Sequence, residues 1–329
     1  TSRPIELFPQ LQALLGSGPL DSPFMPPIDY SDRYCGGSSC QERGATHLNE
    51  LNAILSMVMV RRVKSEVLKD LPPKVRNHCL VELADQRLKK FQDMFGQLDC
   101  LRDQISDTFV SPTDLMDLKN RSNALYTTLY SQTASAKVPA VVTRLRQLLD
   151  EKSSTPKKIL VFGQHQVMLN AVRAFLARSN IQHVLMDGGT PPEHRISLVE
   201  EFQTDCRIKV AVLSIRVAGI GLTLTAANWI LFAELDWVPS NLVQAEDRAH
   251  RIGRTGVLNV EYVVAKGTLD DRLWPVLKRK LAIVGTTVDA SYSHHKGLDP
   301  VSVSAELANS DVAVQATFLA AQNKDFFAL

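Results

Sequence analysis

From Lys157 onward the chain alternates short apolar runs with amphipathic stretches, and this alternation limits it to a layered α/β fold. KKILVFG, QHVLMDG, KVAVLSI, NWILFAEL and NVEYVVAKG read as strands. MLNAVRAFLARSN, EHRISLVEEFQ, NLVQAEDRAHRI and DDRLWPVLKRKL read as helices between or after them. Runs such as KVAVLSI lack polar alternation, which suits strands covered on both faces of a parallel sheet. The pattern predicts a doubly wound parallel sheet over about 138–285. Ligands of such a sheet gather at the carboxyl ends of its strands, here in the loops after Phe162, Met186, Ile215 and Leu235.

Upstream the texture is different. Ser2 to Leu15 reads as a helix with proline near its first turn, and no sequence precedes it to cover its apolar face, so the N-terminus reads as cut. Residues 16–47 are rich in turn-forming residues, and His47 to Leu68 is mostly strong helix former, ended by Leu71-Pro72-Pro73. Between Leu83 and Leu149, Leu88, Phe91, Phe95, Leu98 and Leu101, then Leu125, Leu129, Val141, Leu145 and Leu148, recur near helix-face spacing. This stretch predicts an all-helical insertion. Beyond Ser291 the tail is polar and Ala/Ser-rich; its terminal KDFFAL reads as a frayed end or as a docking peptide.

Composition narrows the functional classes. The net charge is +2, so any basic surface must be local. The five cysteines, at 35, 40, 79, 100 and 206, are scattered, which suits free thiols in a reducing compartment; Cys35 and Cys40 read as unrelated thiols, and no metal site is expected. No apolar run reaches membrane-span length and no signal pattern opens the chain, so a soluble intracellular protein is expected.

Two segments carry candidate chemistry. In a helix over 242–252, Leu242, Ala245, Ala249 and Ile252 would form an apolar stripe against the sheet. Gln244, Arg248 and Arg251, at i, i+4 and i+7, would project from a separate face, with Asp247 four residues before Arg251 and able to pair with it. Two guanidiniums and an amide aimed together suit a polyanion with charge spread over several oxygens; the plain alternative is a solvated helix face. The loop from Ser214 to Ala227 follows a buried strand. Gly219 and Gly221 would let backbone approach a phosphate, and Ser214, Arg216, Thr223 and Thr225 offer hydroxyls and a cation; a tight turn needs no such function.

The ordered strings KILVF, HVLMDGG, EHR, VAVLSI, AGIGLTLTAAN, FAELDWVP and QAEDRAHRIGR resemble the C-terminal RecA-like lobe of the Snf-type (SWI/SNF) ATPases of helicase superfamily two. Within that family GLTLTAAN, ILFAEL, PSNLVQAEDRAHRIG and VAKGTLDDRLWPVL are most similar to the annealing-helicase branch, HARP (HepA-related protein) and its relatives. The resemblance runs from about Arg61 to Lys280, while SRPIELFPQL, RYCGG, LNELNAIL and MVRRVKSEVLKDLPPK match the end of a first lobe and the linker. It implies 1–60 as first-lobe tail and linker, 61–137 as linker and helical insertion, 138–285 as the second lobe, and 286–329 as a tail.

Roles follow by position. The resemblance implies Arg251 as the arginine finger on the γ-phosphate of ATP, with Arg248 a second contact and Gln244 beside them. Gly219, Gly221 and Asp247 fall on the nucleotide side. Ser214, Arg216, Thr223, Gln164, His165, Asp187, Gly188, Arg195 and Trp237 fall along the DNA track. For His165 a loop histidine, and for Trp237 a packing aromatic, are the competing readings. The basic cluster of Arg61, Arg62 and Lys64 would brace two lobes. Val238 stands where the family usually has Asn, and Arg254 where Gln is usual, adding a cation near the cleft mouth.

No GxxxxGK[ST] and no DExH-like strand end occur, so the triphosphate cradle and the magnesium carboxylate would come from a first lobe that this chain lacks. The expected function is half of an ATP-driven double-stranded DNA translocase in the nucleus, using ATP and magnesium, with DNA and a first lobe as partners. A catalytically inactive DNA- or partner-binding module is the alternative, and a nucleotide-sugar or methyl transferase is a more remote one. Paired finger arginines are superfluous in a pure binder, and the transferases would need an acidic residue after a first-strand GxGxxG, which is absent.

Overall fold

The structure, a computed structural model, describes residues 4–16, 25–36, 45–60, 62, 64–106, 111–151, 157–217 and 221–288, with no side chains considered for 65, 66 and 281–288. Arg61, Cys40, Gly219 and the tail from Ser291 with its KDFFAL lie outside the described residues. Two compact units divide the chain. The first is built on the segment up to Leu71, with Val238–Ser240 and the last helix from Pro275. The second is built on Pro72–Trp237 and Asn241–Trp274.

In the first unit a 3-10 turn, Pro4–Leu7, leads into α1 (Phe8–Leu15), where Pro9 sits in the first turn and forfeits no helical hydrogen bond. α2 (Pro27–Tyr34), α3 (Leu48–Val58) and the short α4 (Lys64–Val67) follow. The apolar face of α1 has its cover within the chain: Leu7, Phe8 and Leu11 pack with Tyr30, Tyr34, Leu51 and Leu55. α2 arises inside the stretch expected to be loop, because Pro26 and Pro27 fall at its N-cap and first position, where proline is tolerated. Its Tyr30 and Tyr34, four apart, share one buried face; the Tyr30 hydroxyl donates to the Pro4 carbonyl at 2.9 Å. The helix expected over His47–Leu68 is broken after Val58, where Met59 is extended.

The second unit begins with β1 (Lys74–Val81), α5 (Asp85–Ser106) and the 39-residue α6 (Pro112–Asp150). It continues with β2 (Ile159–Gly163), α7 (Gln166–Arg178), β3 (His183–Met186), α8 (Pro192–Thr204) and β4 (Val210–Ser214). β5 (Trp229–Phe232), α9 (Pro239–Ala249), β6 (Leu258–Ala265) and α10 (Leu269–Val288) complete the described chain. All strand pairs are parallel, in the order β1-β6-β5-β2-β4-β3. β2 and β4 are buried along their whole length, as continuous apolar runs require.

One sheet face takes Val161, Val212, Leu231 and Val263 against Val141, Leu145 and Leu148 of α6 and Val172 and Leu176 of α7. Each such side chain, fully buried, contributes about 1.5–3 kcal/mol. On the other face Phe162, Phe232 and Tyr262 lie in register, with ring centroids 5.2 and 4.8 Å apart. β1 is an edge strand with alternating exposure, and the sequence pattern did not single it out, because KVRNHCLV mixes polar and apolar residues on both faces. The chain runs from β2 to the far edge, returns through β4, and crosses β2 to reach β5. That reversal puts a crevice at the carboxyl end of β2.

Candidate functional site

α9 is anchored by its apolar phase. Leu242, Ala245 and Ala249 are buried as expected, but the helix ends at Ala249, and Ile252 is 72% exposed. The stripe therefore stops one turn early. Gly253, with φ of 94°, takes the chain out of the helix, a left-handed conformation that favours glycine. Arg251 consequently stands in the turn after the helix rather than on its face.

The same phase carries a residue that the motif reading passed over. Glu246 belongs with Leu242, Ala245 and Ala249 on the buried side; a charge inside an apolar stripe is the signal that could have found it. Its carboxylate accepts from Lys74 Nζ at 2.5 Å and Arg76 Nη2 at 2.6 Å, and from the Tyr262 hydroxyl. Burial alone would push this carboxyl up. The Lys74 and Arg76 charges overcome that and hold it well below the usual range. Asp247 lies 3.7 Å from Lys74 Nζ.

The loop after β4 meets the end of α9. The Leu224 N–H donates to the Arg248 carbonyl at 2.8 Å, and Arg251 Nη1 donates to Thr223 Oγ1 at 3.0 Å. Gln203 of α8 holds the loop from the other side, donating to Thr225 Oγ1 at 3.1 Å and accepting from the Ala226 N–H at 2.8 Å. Gly221 has φ of 60° and open space around its Cβ position, so conformation and not crowding calls for glycine there. Arg251, Thr223 and Gln244 are exposed and Arg248 half-buried; Ser214 is buried at the strand end and Arg216 exposed. Arg251 spends one of its five donors on Thr223 among the described residues, leaving a cation at the carboxyl edge of the sheet.

A second group forms where β2 and β5 end. Glu234, 2% exposed, accepts from the Gln164 and His165 N–H groups at 2.8 and 3.1 Å, and His165 Nδ1 donates to its other oxygen at 2.5 Å. Tyr130 of α6 packs edge-on to His165 and to Trp237, centroids 4.6 and 5.4 Å away, and its hydroxyl donates to the Leu235 carbonyl. Burial, then Asp236 and Glu234, push the Tyr130 hydroxyl well up. Trp237 is 3% exposed, enclosed by Tyr126 and Tyr130, which is the placement of a packing aromatic.

Asp187, Gly188 and Arg195 form a third group. Asp187 accepts from the Gly189 N–H at 3.0 Å and from Gln166 at 3.2 Å, and Arg195 Nε donates to the Thr190 carbonyl at 2.8 Å.

Arg254 is not a cation at the cleft mouth. It is 7% exposed, and its guanidinium donates to the carbonyls of Gly256 at 2.6 Å, Val257 at 2.7 Å, Ala227 at 2.5 Å and Ala249 at 3.4 Å. Desolvation lowers its affinity for the proton. Carbonyls converging from three segments, those of Ala227 and Ala249 in buried hydrogen bonds, are satisfied by a five-donor fork, and an apolar substitute would strand them.

Among the described residues no group of three or more His, Cys, Asp or Glu could hold a metal, no helix is long and apolar enough to cross a membrane, and Cys35, Cys79, Cys100 and Cys206 are free thiols.

The profile described as "SNF2-related domain" matches residues 17–154, and that described as "Helicase conserved C-terminal domain" matches residues 140–253. The chain belongs to the SNF2-related helicase family. It matches the annealing-helicase branch. "DNA annealing helicase and endonuclease ZRANB3" of Bos taurus is 38% identical over 295 residues, 87% of this chain and 26% of that protein. "SWI/SNF-related matrix-associated actin-dependent regulator of chromatin subfamily A-like protein 1 homolog" of Caenorhabditis elegans is 36% identical over 291 residues, 86% of this chain and 39% of that protein. This SNF2-type chain thus spans between about a quarter and two fifths of these relatives. A solved structure titled "Crystal structure of the C-terminal part of Fun30 ATPase domain" shares the RecA-like fold, with TM-score 0.53 and 18% identity over 62% of this chain and 88% of that one.

Proposed function

We propose that this chain supplies the second motor lobe, over 138–285, of an ATP-dependent translocase on double-stranded DNA of the annealing-helicase type. The observation that carries this reading is the junction of Thr223 and Leu224 with Arg251 and Arg248 at the carboxyl edge of a parallel sheet. The junction joins a loop suited to a phosphate backbone with a turn that presents an outward-facing guanidinium. Relatives named as annealing helicases support the reading, and a relative named as a regulator of chromatin supports a nuclear location.

The residues present fit a triphosphate, because Arg251 keeps donors for phosphate oxygens and Thr223 fixes its direction. They do not fit its magnesium, since among the described residues no group of three or more His, Cys, Asp or Glu could hold a metal; the ion's ligands and the triphosphate cradle would come from residues outside this chain. ATP supplies the bond whose hydrolysis drives the cycle. Arg251 stabilises charge on the transferred group, Arg248 adds a second contact, and Gln244 lies on the same side. By the family resemblance Gly219, Gly221 and Asp247 serve the nucleotide side and Ser214, Arg216 and Thr223 the DNA backbone, with Asp187, Gly188, Arg195, Gln164 and His165 further along the track. Trp237 acts there by holding Tyr130 and His165 in place rather than by touching DNA.

The test is DNA-stimulated ATP hydrolysis by the full-length protein, wild type beside Arg251→Ala. Turnover is expected to fall on the order of a thousandfold, with duplex binding changed less than about twofold. Retained turnover in the variant would remove the finger assignment, and no hydrolysis by wild type would favour a binding module. The chain alone is expected to be inactive.

A further inference from the structure

The turn that carries Arg251 has little packing to hold it. Its one large apolar residue, Ile252, is 72% exposed, and Gly253 contributes no side chain. Hydrogen bonds must therefore set its position. The His250 N–H donates to the Glu246 carbonyl at 2.9 Å, continuing the last turn of α9, and His250 Nε2 lies 2.9 Å from the Pro72 carbonyl. C-terminal of His250, the backbone of the turn is tied down chiefly through Arg254. Its N–H donates to the Arg251 carbonyl at 3.2 Å, and its guanidinium ties Ala249, where α9 ends, to Ala227, where the Thr223 loop ends. The same fork takes Gly256 and Val257 on the way out of the turn. The two segments that present Thr223 and Arg251 to each other are thus joined behind the exposed pair by one buried side chain.

We propose that Arg254 is a positioning residue that fixes the Ala249–Arg254 turn against the Thr223 loop, and so sets the direction of Arg251. This rests on the assignment of Arg251 as the finger. A lysine, with one compact ammonium, cannot bridge four carbonyls spread over three segments, and a glutamine amide offers two donors to the same set. Without the fork the turn keeps its chemistry and loses its aim. A displacement of about 1 Å in a group that must meet a transition state costs on the order of tenfold to a hundredfold in rate.

The test is a double-mutant cycle in the full-length protein: wild type, Arg254→Ala, Arg251→Ala and the double variant, each followed by DNA-stimulated ATP hydrolysis, duplex affinity and Tm. The expected result is a kcat for Arg254→Ala lower by about tenfold or more, with duplex affinity within about twofold of wild type. The double variant should be no slower than Arg251→Ala alone, because a residue that acts through Arg251 has nothing left to lose. Multiplying losses in the double variant would overturn the proposal while leaving the finger intact. So would an Arg254→Ala protein with lowered Tm and unchanged kcat, which is a plain brace. Retained turnover in Arg251→Ala removes the finger itself and the proposal with it, a separate result. If Arg254→Ala does not fold, Arg254→Gln enters the same cycle, with a loss of about threefold expected and the same non-additivity.

Discussion

The Glu234 carboxylate sits where the positive end of α7 would otherwise attract an external anion. It accepts two backbone N–H groups at that end, Gln164 and His165, and the His165 ring as well. On the proposed reading, phosphate recognition would fall to the neighbouring loop and to Arg248 and Arg251, since this helix terminus already holds an acceptor of the chain's own. The arrangement also explains why Gln164 and His165 differ in kind from Arg251: their backbone and ring donors face inward. Glu234→Gln keeps the shape and replaces one accepting oxygen with an NH2 group facing the His165 ring. The expected loss is about 1–3 kcal/mol of folding stability, read as a shift in urea midpoint with unchanged slope. A change below about 0.5 kcal/mol would mean that the acceptor is dispensable.

At the scale of elements, α9 is held less by its propensity than by what lies under it. The Glu246 cluster joins α9 to β1 through Lys74 and Arg76 and to β6 through Tyr262. Removing the charge from a buried carboxylate takes from Lys74 and Arg76 the anion they share, and breaking a buried ion pair costs about 3–5 kcal/mol. Glu246→Gln should lower stability by about that much at neutral pH. The pH dependence has a definite sign. The folded carboxyl is held well below its unfolded value of about 4.3, so its contribution is whole above that value and is lost as pH falls toward the folded one. Urea midpoints of wild type and Glu246→Gln should therefore converge on acidification; a constant gap between pH 7 and 3 would contradict the ion cluster.

The same element shows what the sequence could and could not disclose. Among the described strands β2, β4 and β5 are legible as uninterrupted apolar runs, since burial leaves little room for polar residues there, and β3 and β6 follow from their alternation with helices. β1 escapes because an edge strand shows one side to water and carries Lys74 and Arg76 toward a buried partner 170 or more residues away, a pairing that no local pattern encodes. Motif order pointed to the loop and helix that meet at Thr223 and Arg251, yet helical spacing overran the end of α9, because Ile252 continues the stripe in sequence while Gly253 ends it in space. Arg254 was legible as a cation, not as a buried one, because its acceptors are carbonyls, which every residue possesses.

For the chain as a whole, a net charge of +2 means that the proposed attraction to DNA cannot come from a general positive field. On the proposed reading it comes from a few contacts along one edge, and such contacts announce themselves through salt. If the lobe and its partner lobe neutralise about five phosphates, the logarithm of affinity falls with the logarithm of salt at a slope near about −4.5, or roughly five-hundredfold between about 50 and 200 mM. Duplexes of equal length and different sequence should bind within about twofold of each other, since phosphate contacts carry no sequence information. Arg216, exposed beyond the end of β4, is the residue to remove. Its replacement by alanine should weaken all duplexes alike and reduce the slope by about one. Anisotropy titrations of the full-length protein at several salt concentrations give both numbers. A slope unchanged by Arg216→Ala would take that residue off the DNA track, and a flat salt dependence in wild type would mean that DNA is held by something other than this charged edge.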